Sequence, residues 1–137
     1  MVDRMTARCG AWLDACAHSG EITELVQAEV DVAVDILRDA EEHAVFLCPY
    51  VSQCKLFLSR GTSRPVHTID SFQGREAETV VLSMVRDGTT GSLGFWSDLR
   101  RVCVALTRAR TRLVILASNV DAWPDHPMKA LFMNPCC

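Results

Sequence analysis

No stretch of this 137-residue sequence approaches the roughly 20 consecutive apolar positions that a membrane-spanning helix requires. The opening residues, MVDRMTARCGAWLDACAHSG, lack the continuous apolar core of a secretory signal, so none is expected. The seven cysteines form no CxxC pair, and none combines with a histidine at zinc spacing. They read as small buried hydrophobes and a few surface thiols rather than metal ligands. An odd count without a disulfide framework suits a reducing compartment, cytosol or nucleus. Internal repeats and low-complexity tracts are absent too. The pattern G-x-x-x-x-G-K-[ST] occurs nowhere, and no Asp-Glu pair follows an apolar strand. The sequence therefore offers no backbone loop to hold β- and γ-phosphates and no carboxylate pair to hold magnesium.

What is present is one domain's worth of chain, 49% hydrophobic and 23% charged, enough for a real core. The net charge of −3 hides an asymmetry. Residues 1–43 carry ten acids against three arginines, whereas residues 44–137 carry eleven bases against seven acids. The basic second part, at +4, would favour an anionic ligand.

Residues 1–20 show no clear period and read as a poorly fixed extension ahead of one domain over 21–137. From Ile22 to about Glu42, apolar residues at helical spacing alternate with acids, which predicts an amphipathic helix. AVFLC (44–48) is a fully apolar run closed by Pro49 and predicts a buried strand. SQCKLFLS (52–59) predicts a short helix, and RGTSRP (60–65) a turn-rich connection. VHTID (66–70), ETVVLSMV (78–85) and RLVILAS (112–118) predict further strands. RDGTTGSLGF (86–95) reads as a loop. Asp98 or Ser97 is placed to cap a helix running through about Arg110, and MKALF predicts a last short helix. Strands without alternation need cover on both faces, which predicts an α/β sandwich with a mostly parallel sheet. In such folds ligands gather where loops leave the carboxyl ends of strands.

Residues 100–115, RRVCVALTRARTRLVI, set five arginines among apolar side chains, which suits neither a plain surface helix nor a plain core. About thirty residues earlier, TIDSFQGRE (68–76) follows a strand and gathers Thr68, Asp70, Ser71, Gln73, Arg75 and Glu76 around Gly74. Read alone, this is an ordinary strand-to-helix turn with Ser71 as a cap. Read with VALTRAR (104–110), it resembles motifs V and VI of the second RecA-like domain of superfamily 1 helicases. The similarity is to the branch that holds the nonsense-mediated-decay RNA helicase and senataxin. FLCPYVSQ (46–53) resembles motif IV of the same family, and VVLSMVR (80–86) and GF (94–95) extend the match over roughly residues 22 to 132. The chain departs from the family pattern at Leu99, where a proline is common, and at Cys103, where an asparagine is common.

The resemblance implies a RecA-like three-layer sandwich and an ATP-dependent motor acting on nucleic acid. It casts Arg108 as the guanidinium that stabilises charge developing on the γ-phosphate, a role suited to a planar, permanently charged group. Glu76 matches the acid that hydrogen-bonds the nucleotide ribose, and Gln73 and Gly74 match the loop that shapes the nucleotide site. Arg101 either supports the cleft or pairs with an acid, and Arg110 is a further candidate support. Thr68 matches a hydroxyl that touches a nucleic-acid phosphate, with Pro49, Tyr50, Ser71 and Arg86 as further contacts; Tyr50 either stacks on a base or simply packs. The family's Gln-Tyr-Arg-Met-His-Pro segment is absent, as is the phosphate-binding loop. ATP with magnesium is thus expected only together with a first RecA-like domain, and this sequence alone is expected not to turn ATP over. Single-stranded RNA or DNA is the other expected partner, a membrane is not, and a cytoplasmic or nuclear location follows. The alternative is a stand-alone nucleic-acid-binding or regulatory module without the catalytic half.

Overall fold

The computed structural model describes residues 3–8, 22–85 and 94–117. The elements in chain order are β1 (Asp3–Arg8), α1 (Ile22–Arg38), β2 (Val45–Cys48), α2 (Val51–Ser59), β3 (Val66–Thr68), β4 (Ala77–Ser83), α3 (Leu99–Thr107) and β5 (Ala109–Ala117). Single 3-10 turns cover Asp70–Phe72 and Gly94–Ser97. The five strands form one sheet in the order β1-β5-β4-β2-β3, every neighbouring pair parallel. Among the described residues no helix is long and apolar enough to cross a membrane.

Strand geometry explains why the strand sequences do not alternate in polarity. Successive side chains point to opposite faces, and both faces here are covered. Val45, Leu47, Val80, Leu82, Leu113 and Ile115 enter one core with Phe72, Trp96 and the α3 residues Val102 and Ala105. Phe46, Cys48, Val81, Val114 and Leu116 enter the other, against Ala33 and Leu37 of α1 and Phe57 of α2. Helix, sheet and helix thus form three layers, the α/β RecA-like sandwich that the sequence predicts.

Some boundaries fall elsewhere than the sequence suggests. The expected strand over 66–70 stops at Thr68, and the chain turns through Asp70–Phe72 instead. Helix α1 stops at Arg38 rather than near Glu42. Arg64, from the turn-rich connection, donates to the carbonyls of Arg38, Ala40 and Glu41, satisfying acceptors that the helix end leaves open. The expected helix through Arg110 ends at Thr107, with Arg108 as its C-cap. Sheet pairing overrides helix propensity there: Ala109 lies in register with Ala77, and the Ala77 amide donates to the Arg108 carbonyl at 3.0 Å. Residues 3–8, for which the sequence reading assigns no element, pair along β5 as its edge neighbour. The expected MKALF helix lies outside the described residues.

Asp98 starts α3 as the sequence anticipates, its carboxylate accepting from the Arg100 amide at 2.9 Å. Asp98→Ala is expected to lower stability by about 1 kcal/mol, the usual cost of losing such a cap, in urea unfolding.

One buried group is not anticipated. Glu29 sits on the inner face of α1, in helical phase with Ala33 and Leu37, and is fully buried. Its Oε2 accepts from the Ser83 hydroxyl and, at 3.0 Å, from the Val85 amide. Ser83 Oγ in turn accepts from Gln53 Nε2 at 3.0 Å, and Gln53 Oε1 accepts from the Tyr50 amide at 3.3 Å. This chain of hydrogen bonds ties α1 and the end of β4 to the first turn of α2. It also accompanies Val85 in a left-handed conformation at φ 54°, which a β-branched residue rarely adopts. Burial pushes the Glu29 carboxyl up to about 8, against the lowering effect of those two donors, so the group is protonated at neutral pH.

Candidate functional site

Because all strands run the same way, the sequence-derived residues sort onto two edges of the sheet. Pro49 and Tyr50 follow β2, and Thr68 and Ser71 follow or end β3, all at carboxyl ends. Glu76, Arg108 and Arg110 stand instead at the amino ends of β4 and β5. The candidates drawn from motifs V and VI therefore do not all stand at the carboxyl ends of strands. The segment 69–76 and helix α3 carry the chain back to the start of the next strand, and these residues lie at the end of that return.

At the amino edge, Gly74 has φ +80°. A Cβ there would meet nothing within 4 Å, so backbone conformation rather than crowding requires the glycine. Gln73 and Gly74 are exposed and deliver the chain to Glu76. Arg108 lies beside that segment and joins it to α3. Its Nη1 donates to the Arg75 carbonyl at 3.0 Å, its Nε to the Val104 carbonyl at 3.1 Å, and its Nη2 to Thr107 Oγ1 at 2.9 Å. All three acceptors are neutral. Among the described residues no carboxylate lies within ion-pair distance of Arg108, whereas Arg101 has one and Arg110 two. Among the described residues, the Arg108 guanidinium is thus held by neutral acceptors alone.

Arg110 is part of β5 rather than of the helix and pairs with Glu76 at 3.0 Å and more loosely with Glu78 at 3.8 Å. These groups are all exposed, so the pairs are weak and exchangeable with solvent or ligand. Thr111 adds a hydroxyl bond to Glu78.

Arg101 occupies the opposite end of α3, away from Arg108. It pairs with Asp70 at 3.2 Å and lies over the Phe95 ring with 4.4 Å between guanidinium carbon and centroid. Of the two readings open for Arg101, pairing with an acid is the one observed. Phe95 meets the Tyr50 ring edge-on, with centroids 6.1 Å apart, and Tyr50 retains 38% exposure. Tyr50, Phe95, Arg101 and Asp70 thus form one surface at the carboxyl edge, next to Thr68 and Ser71. Thr68 and Ser71 satisfy each other: the Ser71 amide donates to Thr68 Oγ1 at 3.2 Å and the Ser71 hydroxyl to the Thr68 carbonyl at 3.0 Å. Pro49 is buried. Arg86 lies outside the described residues.

Asp70 and Phe95 are the members of this surface to which the sequence assigns no site role. Phe95 has a signal in the GF step, and Asp70 one in its place within TIDSFQGRE. Among the described residues no group of three or more His, Cys, Asp or Glu side chains gathers as a metal would require.

Comparison with known proteins bears on what these edges serve. A family described as AAA domain matches residues 16–120. The DNA-binding protein SMUBP-2 of Mesocricetus auratus is 30% identical over 115 residues, covering 84% of this chain and 10% of that protein. An uncharacterized ATP-dependent helicase of Methanocaldococcus jannaschii is 34% identical over 98 residues, 66% of this chain and 14% of that protein. Regulator of nonsense transcripts 1 of Dictyostelium discoideum is 48% identical over 64 residues, 47% of this chain and 5% of that protein. The chain thus spans between 5% and 14% of the length of these relatives.

Proposed function

The chain belongs to the AAA-domain family, as a superfamily 1 helicase C-terminal domain, and from that membership we propose that it supplies one wall of an ATP site and part of a single-strand track. The reading is carried by the amino edge. Arg108 has no carboxylate partner among the described residues and is braced against the Arg75 carbonyl beside Glu76. A first RecA-like domain, in the same chain or in trans, holds the triphosphate through its own phosphate-binding loop. Arg108 then swings or leans from its carbonyl acceptors to the γ-phosphate, where negative charge accumulates during transfer to water. Glu76 exchanges its exposed Arg110 partner for the ribose hydroxyls. Magnesium would come with the triphosphate on the first domain and would add charge neutralisation there.

The carboxyl edge serves the nucleic acid. Tyr50 offers a ring face braced edge-on by Phe95, Thr68 a hydroxyl for a phosphate, and Arg101 a cation close by. With nucleotide at one edge and strand at the other, α3 and the 69–76 segment connect the two, so closure on ATP shifts the track.

The test joins this chain to a RecA-like domain bearing a phosphate-binding loop and follows ATP turnover. Stimulation by single-stranded RNA or DNA is expected, and the absence of any stimulated turnover would overturn the proposal. For the track, Tyr50→Ala is expected to weaken single-strand binding roughly tenfold, the usual worth of one stacked base. Fluorescence anisotropy at two salt concentrations measures it. Binding that ignores both salt and Tyr50 would remove the carboxyl edge from the account.

A further inference from the structure

The turn that carries Pro49 and Tyr50 is bracketed by two free thiols. Cys48 ends β2 and is completely buried, while Cys54 lies in the second turn of α2 and is half-buried. Their sulfurs stand 3.2 Å apart. Bonded sulfurs are about 2.05 Å apart, so a shift of about 1.2 Å would bring the pair to bonding distance. The remaining contacts of Cys48 are weak, to the Tyr50 carbonyl at 3.6 Å and the His67 carbonyl at 3.7 Å. Among the described residues Cys103 is the other free thiol, exposed on α3.

We propose that Cys48 and Cys54 form a redox-active dithiol, a modification site that closes into an intrachain disulfide when a low-molecular-weight disulfide such as oxidised glutathione is supplied. The two thiols have unequal roles. Cys54 is held below the usual thiol range by its hydrogen bond with Cys48, and its place near the α2 amino end favours the thiolate as well. Cys48 is pushed up by that same hydrogen bond and by burial. Cys54 is therefore the attacking thiolate. It attacks one sulfur of the glutathione disulfide, forms a mixed disulfide and expels one glutathione thiolate. That step removes the Cys54 thiolate, and with it the hydrogen bond and the charge that help hold the Cys48 proton. Cys48 then loses its proton to solvent and attacks Cys54 Sγ, expelling the second glutathione thiolate. Two protein thiols are oxidised by two electrons, and one disulfide is reduced to two thiols. The product closes the ring CPYVSQC around Pro49 and Tyr50. The site rests on sulfur geometry alone and stands whether or not the proposed function holds.

The test incubates the whole chain with oxidised glutathione, blocks free thiols with iodoacetamide, digests with trypsin and weighs the fragments. Cleavage after Arg38 and Lys55 yields one peptide, residues 39–55, containing both cysteines. The expected result is loss of two hydrogens from that peptide with loss of both alkylation sites together, reversed by dithiothreitol. Cys103 should carry glutathione or the alkyl group instead. In Cys54→Ser, Cys48 should remain a reduced thiol under the same conditions. A peptide retaining two alkyl groups, or one in which Cys54 stays glutathionylated or joins another cysteine, would overturn the proposal.

Discussion

Arg108→Ala is expected to lower ATP turnover by the assembled motor roughly a thousandfold, the lower bound for losing an arginine that stabilises phosphoryl-transfer charge. The expectation rests on what Arg108 does and does not contact. Its three hydrogen bonds end on two carbonyls and a hydroxyl, so among the described residues no ion pair competes with an incoming phosphate. Truncation should cost little stability, because Arg75, Thr107 and the exposed side of Arg108 have water available to replace it. Nucleotide affinity should also change little, since the charge Arg108 meets is largest in the transition state. Arg110→Ala is the control. Its partners Glu76 and Glu78 are exposed, and such pairs are worth about 0–1 kcal/mol, so turnover should fall only modestly. Steady-state kinetics with saturating single strand separate the two variants. Equal effects from Arg108 and Arg110 would remove the special role of Arg108.

The second large effect concerns Glu29 and pH. Its folded-state value of about 8 lies above its ordinary 4.5, so the unfolded chain releases this proton first as pH rises. The Glu29 contribution is therefore complete below about pH 4.5 and is lost progressively toward pH 8, by up to roughly 5 kcal/mol. Glu29→Gln keeps an oxygen to accept from Ser83 and Val85 but cannot ionise. Relative to the native chain it should gain stability from pH 5 to about pH 8 and level off above, measured by urea unfolding at each pH. Its new amide group replaces Oε1, which has no partner among the described residues, so the variant should be the less stable of the two at pH 5. Glu29→Ala should lose roughly 2–4 kcal/mol at neutral pH, since Ser83 and Val85 are then left without their acceptor in the core. A difference between native chain and Glu29→Gln that does not change with pH would show that Glu29 is ionised in the folded protein.

The layers were legible because buried parallel strands must be apolar on both sides. AVFLC, ETVVLS and RLVILA announce themselves that way, and Asp98 marks its helix by its own cap chemistry. At the amino edge, Gly74, Glu76 and Arg108 were named through the resemblance to motifs V and VI, and the fold sets them just ahead of β4 and β5. Three features depended on tertiary contact and left no local trace. Glu29 looks like any acid of an amphipathic helix until its phase with Ala33 and Leu37 is matched to the buried face. The end of α3 is set by Ala77, some thirty residues away, which claims the Arg108 carbonyl for the sheet. The approach of Cys48 to Cys54 depends on how α2 folds back over β2, which spacing alone does not reveal. Arg101 shows the same limit: its motif position fits either role, and Asp70 and Phe95 decide it.

The central claim is that the edge formed by Gly74, Glu76 and Arg108 faces the triphosphate. Its most direct test is a structure of the chain joined to a RecA-like domain bearing a phosphate-binding loop, with ADP and aluminium fluoride as the transferring phosphoryl group. The account predicts the Arg108 guanidinium within hydrogen-bonding distance of the fluoride, about 3 Å, and Glu76 on the ribose. An Arg108 still bound to the Val104 and Arg75 carbonyls, with the fluoride contacted by other residues, would contradict it.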